Sequence, residues 1–217
     1  MRHARNVGLV VLGLFIVVPA GRDAGAADRR GAQSGQHQAL PPHGPAVAEV
    51  SVCFVPEQEC DTAVADAIGR AEKSIRIQAY GFTSQIILRA LADARARGLD
   101  VQAVLDKSDD LPEREGARPR SGGARFTAEA DIPTWIDSSV AIAHNKVIII
   151  DGHLVIGGSY NYTASAEHRN AENVTFIDAP VVADFYMVNW EARKAASRPS
   201  RYMPENEPST VASSERR

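Results

Sequence analysis

The chain has 217 residues, 44% of them hydrophobic and 24% charged, with a formal net charge of −3. That length bounds it to one medium domain with appendages or two small ones, and the balance is that of an ordinary soluble globular protein with a core. The mild acidity excludes a polycation, so any anion binding has to come from a local field.

Residues 1–26 read as a secretory signal peptide. Arg2 and Arg5 form a positive start, Val7 to Val18 is an uncharged apolar run too short to span a bilayer comfortably, and Ala24-Gly25-Ala26 is a small-residue cleavage site, with Val18-Pro19-Ala20 an earlier option. An uncleaved membrane anchor is the alternative. Cleavage after Ala26 would remove Arg2, Arg5, Arg22 and Asp23 and take the net charge from −3 to −5. The expected location is the periplasm or the medium, without stable membrane insertion. Residues 27–47, rich in Gly, Ala, Gln, Pro and His, read as a disordered linker in which His37 and His43 are solvated rather than metal-bound.

Glu49 to Val55 alternates as a strand does, and Cys60 to Lys73 has a helical apolar face of Ala63, Val64, Ala67, Ile68 and Ala71. Cys53 and Cys60 are the only cysteines, and in an exported chain they read as a disulfide. Free buried thiols are the alternative, and no nearby histidine pair supports zinc. Ser74 to Tyr80 is a strand, and Thr83 or Ser84 can cap a helix that runs to about Arg97 and stops at Gly98. Asp100 to Asp106 is a further strand, so strand, helix and strand make a βαβ unit with parallel pairing.

Lys107 to Arg125 reads as the least structured internal stretch. Its Arg114, Arg118, Arg120 and Arg125 could meet a phosphate backbone, or the loop could be plain solvated surface, since Asp109, Asp110, Glu113 and Glu115 balance the charge. Ile132 to Ile136 and Ser139 to Ala143 are short strand candidates. Thr163 to Asn170 reads as a short helix, Glu172 to Ile177 as a strand, and Pro180 opens a helix to about Ala196. Beyond Met203 the chain reads as a disordered tail.

The stretch from Ala143 to Asn161 organises the rest. Two apolar runs, Val147 to Ile150 and Leu154 to Ile156, flank Asp151-Gly152, the dipeptide favoured in a two-residue hairpin turn. That turn would face Ile150 with His153, Lys146 with Gly157 and His144 with Ser159, so that His144, Lys146, Ser159 and Asn161 share one patch. A three-residue loop would shift the pairing by one position and leave them close. A base or nucleophile, a cation and two neutral hydrogen-bonding groups suit a phosphate ester. Asp151 lies at the other end of the hairpin with opposite parity, and reads as a turn-former or ion-pair partner rather than a reacting group.

His144, Lys146, Asp151, Gly158, Ser159 and Asn161 stand at the spacing His-x-Lys, four residues, Asp, six residues, Gly-Ser-x-Asn. This pattern resembles the signature of the phospholipase D superfamily. From about Val50 to Tyr202 the chain is similar to its small secreted bacterial endonuclease branch, in Ala79-Tyr80-Gly81-Phe82-Thr83, in Ala171-Glu172-Asn173 and in the helix of Trp190. The resemblance implies an α/β fold, a mixed β-sheet with helices on both faces, over residues 48–202. It implies metal-free and cofactor-free phosphodiester hydrolysis through a covalent phosphohistidine. His144 would be nucleophile or acid, Lys146 and Asn161 would hold phosphate oxygens, Ser159 would support them, and Glu172 would accept a hydrogen bond from the imidazole of His144.

Many members carry the motif twice in one chain. Here it occurs once; His153 and His168 lack a lysine two residues on, and read as an exposed strand residue and a helix-end residue. A lone histidine cannot easily attack phosphorus and protonate the leaving group in one displacement. The expected form is a homodimer with two His144 residues meeting at the two-fold axis. The expected substrate is nucleic acid, cleaved without sequence preference; the alternative is a phospholipid. A lipase needs an apolar interfacial element near its site, and the sequence shows none beyond the signal peptide and the core-like helix after Pro180. A non-enzymatic interaction module is a third reading, opposed by the intact His, Lys, Ser, Asn and Glu set.

Overall fold

A computed structural model describes residues 48–110 and 122–203. The signal peptide, the linker up to residue 47, the tail beyond 203, and Arg114, Arg118 and Arg120 lie outside the described residues. In chain order the elements are β1 (Glu49–Val55), α1 (Cys60–Gly69), β2 (Ser74–Ala79), α2 (Gln85–Ala96), β3 (Asp100–Asp106), a 3-10 turn (Lys107–Asp110), α3 (Gly123–Glu129), β4 (Thr134–Asp137), β5 (Val147–Ile150), β6 (Leu154–Gly158), α4 (Ala164–Arg169), β7 (Glu172–Asp178), α5 (Pro180–Ala195) and β8 (Arg198–Pro199). The strands form one mixed sheet in the order β1-β7-β6-β5-β2-β3-β4-β8. β2, β3 and β4 run parallel, while β5, β6 and β7 form an antiparallel meander against β2.

Strand parity builds the two faces. Ile75, Ile77, Val101, Ala103, Leu105, Ile148 and Ile150 point into a core with Val64, Ile68, Ile87, Leu88 and Leu91 of α1 and α2. Val104, Val147, Ile149 and Val155 point the other way and meet Ala183 and Trp190 of α5. This explains why Val147 to Ile150 is an unbroken apolar run: a central strand is buried on both faces. Trp190 is fully buried and donates its indole N–H to the Ile77 carbonyl at 3.0 Å.

Several expected elements differ. α1 ends at Gly69 rather than Lys73, because the Asp151 carboxylate takes the amides of Glu72, Lys73 and Ser74, each at 2.8 Å. Ser139 to Ala143 is not a strand. Side chains take its polar groups instead: Asp137 accepts from Ser139, Lys107 donates to the carbonyls of Val140 and Ala141, and Asp106 accepts from the Ala143 amide. α3 falls partly in the stretch expected to be irregular, and β8 adds a short edge strand beside β4.

The central hairpin has a three-residue loop. Asp151 and Gly152 are both left-handed, at φ 52° and 71°, and His153 completes the loop, so Ile150 pairs with Leu154 and Val147 with Gly157. The pairing expected from a two-residue turn is therefore off by one. His153 is a loop residue whose Nδ1 lies 2.8 Å from Asp178 Oδ1, and His168 sits exposed in α4. Cys53 and Cys60 are disulfide-bonded, tying β1 to the start of α1.

Candidate active site around His144

β2 and β3 end side by side, and the segments that follow such parallel strands are where open α/β sheets place their sites. Tyr80-Gly81-Phe82 follows β2, Asp106 closes β3, and the irregular 142–146 segment delivers His144 and Lys146 beside them. His144 is exposed. Its ring centroid lies 4.8 Å from that of Tyr80, tilted by 55°. Lys146 is only 8% exposed. Its ammonium donates to the His144 carbonyl at 2.9 Å, stands 3.2 Å from His144 Nδ1 and lies 5.8 Å from the Tyr80 ring centroid. Burial pushes the Lys146 ammonium below its ordinary value, partly offset by the nearby Glu172 carboxylate.

Gly81 carries the wall of the site across to the second half of the motif. It adopts φ +70°, and a Cβ there would stand 3.3 Å from Thr163 Cγ2 and 4.0 Å from Asn161 Cβ. The Asn161 Oδ1 is buried and has no hydrogen-bond partner. Amide O and N are assigned by partner rather than by shape, so the same position can present Nδ2–H₂ to an anion. Ser159 Oγ accepts from the Asn173 amide at 3.1 Å, and the Ser159 amide donates to the Asn173 carbonyl at 3.2 Å. Gly158 makes this approach possible. At φ +154° its missing Cβ would sit 2.2 Å from the Asn173 carbonyl oxygen.

Glu172 begins β7 next to Asn173, but it is not bonded to His144 as expected. Its Oε1 accepts from Asn170 Nδ2 at 2.8 Å, and the nearest partner of His144 Nδ1 is Lys146. Its charge reaches the site through Lys146. Asp151 lies at the opposite end of the hairpin. Burial opposes its ionisation, but the amides of Ser74, Glu72 and Lys73 outweigh it and hold the carboxyl below its ordinary value. Arg125 is in α3 and pairs with Glu129 at 2.9 Å, four residues on. Among the described residues no three His, Cys, Asp or Glu side chains form a group that could hold a metal ion.

Sequence reasoning overlooked the supports. Asp106 accepts from the Ala143 amide at 2.8 Å, which fixes the residue before His144. Burial works against its carboxylate, but the amides of Ser108 and Ala143 outweigh it and lower its pKa. Asp109 accepts from the amides of Gly81 at 3.3 Å and Gly123 at 3.4 Å, and burial pushes its carboxyl up. Glu167, 6% exposed, accepts from the Cys60 and Asp61 amides and from the Tyr160 hydroxyl, linking the disulfide loop to the residue between Ser159 and Asn161. The strand ends gave a signal for Tyr80 and Asp106; nothing local marked Glu167.

The expectation of no apolar surface near the site is also corrected. Val50, Val52 and Phe54 are 56%, 43% and 53% exposed, because their strand turns Cys53 and Val55 to the core and these three outward. Phe54 is opposite Asn173, so this strip ends at the site. Ile142, two residues before His144, is also exposed. No helix among the described residues is long and apolar enough to cross a membrane.

Comparison with known proteins bears on the fold and the family. Residues 64–193 match the family model described as cardiolipin synthase, PLD-like domain. A phospholipase D of Rickettsia bellii is 43% identical over 148 residues, covering 68% of this chain and 70% of the relative. The mitochondrial cardiolipin hydrolase of Xenopus tropicalis is 28% identical over 140 residues, covering 64% and 63%. The crystal structure of Nuc from Salmonella typhimurium, a phospholipase D family member, superposes with a TM-score of 0.64 at 35% identity, over 70% of this chain and 98% of Nuc. With its mixed eight-stranded sheet and this match over more than half its length, the chain belongs to the phospholipase D superfamily and is a phosphodiester hydrolase.

Proposed function

We propose that the protein is an exported, metal-independent endonuclease that hydrolyses DNA and RNA phosphodiesters without sequence preference, through a phosphohistidine, as a two-fold dimer. The observation that carries this is the site itself: an exposed imidazole beside a buried ammonium, with the unpartnered Asn161 Oδ1 across the Gly81 turn. Lys146 and Asn161 hold the non-bridging oxygens, and Ser159 supports them. Phosphoryl transfer asks mainly for such positioning and charge.

In the first displacement a His144 ring nitrogen donates its lone pair to phosphorus, and the P–O bond to the leaving alkoxide breaks. The His144 of the second copy gives that oxygen a proton. In the second displacement this now neutral imidazole takes a proton from water, water oxygen bonds to phosphorus and the P–N bond breaks. The His144 that acts as acid starts as the imidazolium, donates from Nε2 and is left neutral with its remaining proton on Nδ1. The attacking His144 is the neutral tautomer that keeps its proton on Nδ1, where Glu172 would accept a hydrogen bond on turning from Asn170, so that the Nε2 lone pair attacks phosphorus. The exposed Val50, Val52 and Phe54 strip supports the dimer, since it offers an apolar face that ends at the incomplete site.

The same strip and the Rickettsia relative's name favour a second reading, hydrolysis of phosphatidylcholine-type lipids. Assay of the mature protein on plasmid DNA, RNA and phosphatidylcholine vesicles in EDTA, with His144→Ala as control, separates the two. Nuclease activity in EDTA that falls with salt and vanishes in His144→Ala is the expected result. Activity lost in chelator and restored by magnesium would overturn the mechanism. Sedimentation of a fully active monomer would overturn the dimer.

A further inference from the structure

We propose that Tyr80 is a positioning residue for this reaction, its ring holding the His144 imidazole and the Lys146 ammonium in reacting geometry. The assignment rests on the phosphohistidine reading above. His144 and Lys146 lie outside any strand, so no backbone ladder orients them. The Tyr80 ring touches both: its centroid is 4.8 Å from that of the imidazole and 5.8 Å from the ammonium nitrogen. An aromatic face attracts a cation at about 6 Å. It therefore favours an ordered lysine and a ring that carries positive charge during each displacement.

The mounting of this ring is stiff. Phe82 is fully buried, with its ring 6.0 Å from that of Tyr162. The amides of Thr83 and Ser84 both donate to the Tyr162 carbonyl at 2.8 Å. The Gly81 amide donates to Asp109, and the close approach of Gly81 to Thr163 leaves no room for a side chain without displacement. Tyr80 is thus fixed between the two halves of the motif: it touches His144 and Lys146, and its neighbour lies against Asn161. Both contacts of Tyr80 are made by the ring rather than the hydroxyl, which separates this role from acid–base chemistry.

The test compares Tyr80→Phe, Tyr80→Leu and Tyr80→Met with the wild type on bis(p-nitrophenyl) phosphate and on plasmid DNA in EDTA, with thermal melting of each. Tyr80→Phe should retain kcat. Tyr80→Leu and Tyr80→Met should lose kcat on the order of 100-fold on both substrates, the cost of a misplaced reacting group, with KM and melting nearly unchanged. The methionine variant decides the matter if the leucine variant does not fold. Unchanged kcat in a folded variant, or failure of phenylalanine to rescue, overturns the assignment. A raised KM on DNA alone also overturns it, and identifies the ring as a stacking platform for bases instead. If the wild type cleaves neither substrate, it is the phosphodiesterase reading of this site that falls.

Discussion

Replacing Asp151 by alanine removes the acceptor for three backbone amides, those of Glu72, Lys73 and Ser74, each bonded at 2.8 Å. Glu72 and Lys73 are exposed, so their amides can turn to water at small cost; the Ser74 amide is half-buried and loses more. Charged acceptors contribute about 1.5–3 kcal/mol per bond when the donor is left without a replacement, so the sum here is about 3 kcal/mol. For a domain of this size that lowers the melting midpoint by roughly 6–12 °C. Asp151→Asn keeps one oxygen for Lys73 and Ser74 but sets an NH₂ group against the Glu72 amide, and should cost about half as much. The carboxyl's pKa is depressed in the folded state, so its stabilisation is complete above the unfolded value near 3.8 and is lost as pH falls below it. Urea titrations of wild type and Asp151→Asn should therefore converge below that pH and run parallel above it. Activity per folded molecule should stay close to wild type in both variants. A fully stable Asp151→Ala protein with kcat reduced a thousandfold would refute the structural reading and return Asp151 to the chemistry.

Three further outcomes follow from the same contacts. Gly158→Ala places a methyl 2.2 Å from the Asn173 carbonyl oxygen at a φ that side chains avoid; it should cost about 2–5 kcal/mol in urea and reduce kcat by spreading Ser159 from Asn173. Glu167→Ala strands the Cys60 and Asp61 amides and the Tyr160 hydroxyl in the interior and should cost about 3–5 kcal/mol, measured by thermal melting, although Glu167 lies outside the reacting group. Burial lowers the Lys146 pKa, so activity that depends on its charge should decline at a pH below the ordinary lysine value of 10.5. Lys146→Arg should carry whatever activity it keeps to higher pH, read from the basic limb of the kcat profile.

Most of the sheet was legible because its strands carry their burial in their pattern. Glu49–Val55 and Asp100–Asp106 match their expected bounds, and α2 starts at Gln85 behind Ser84, whose side chain caps it. Two of the misreadings, the end of α1 and the segment 139–143, share one cause, a distant side chain taking over local backbone groups. Asp151 shortens α1 from nearly eighty residues away, and Asp106 and Lys107 hold 140–143 out of the sheet. Periodicity within a window has no access to such partners. The motif spacing placed His144, Lys146, Ser159 and Asn161 in one region although the hairpin register was off by one, because Gly158 rather than strand parity sets how the chain leaves β6. Tyr80 has no role legible in the sequence, since only the fold brings its ring to His144.

The apolar strip on β1 bears on substrate as much as on assembly. Phe54 stands opposite Asn173 and Val55 opposite Glu172, so whatever covers Val50, Val52 and Phe54 also lies against the site. A second copy and a lipid surface cannot occupy the same three side chains. The second copy alone brings another imidazole, and a single His144 with Lys146 at its Nδ1 has no other described histidine beside it to serve as the leaving-group acid. In the proposed dimer, closing the strip with a second copy would remove that apolar surface from lipid and set two lysine-bearing hairpins on either side of the substrate. Such an arrangement suits an extended chain of phosphates, whose backbone is recognised without regard to sequence. Lipid access would then have to depend on Val140 and Ile142, a much smaller apolar surface than β1 offers. On the dimeric reading proposed above, the requirement for a second histidine and the preference for a nucleic-acid substrate would be consequences of one covered face.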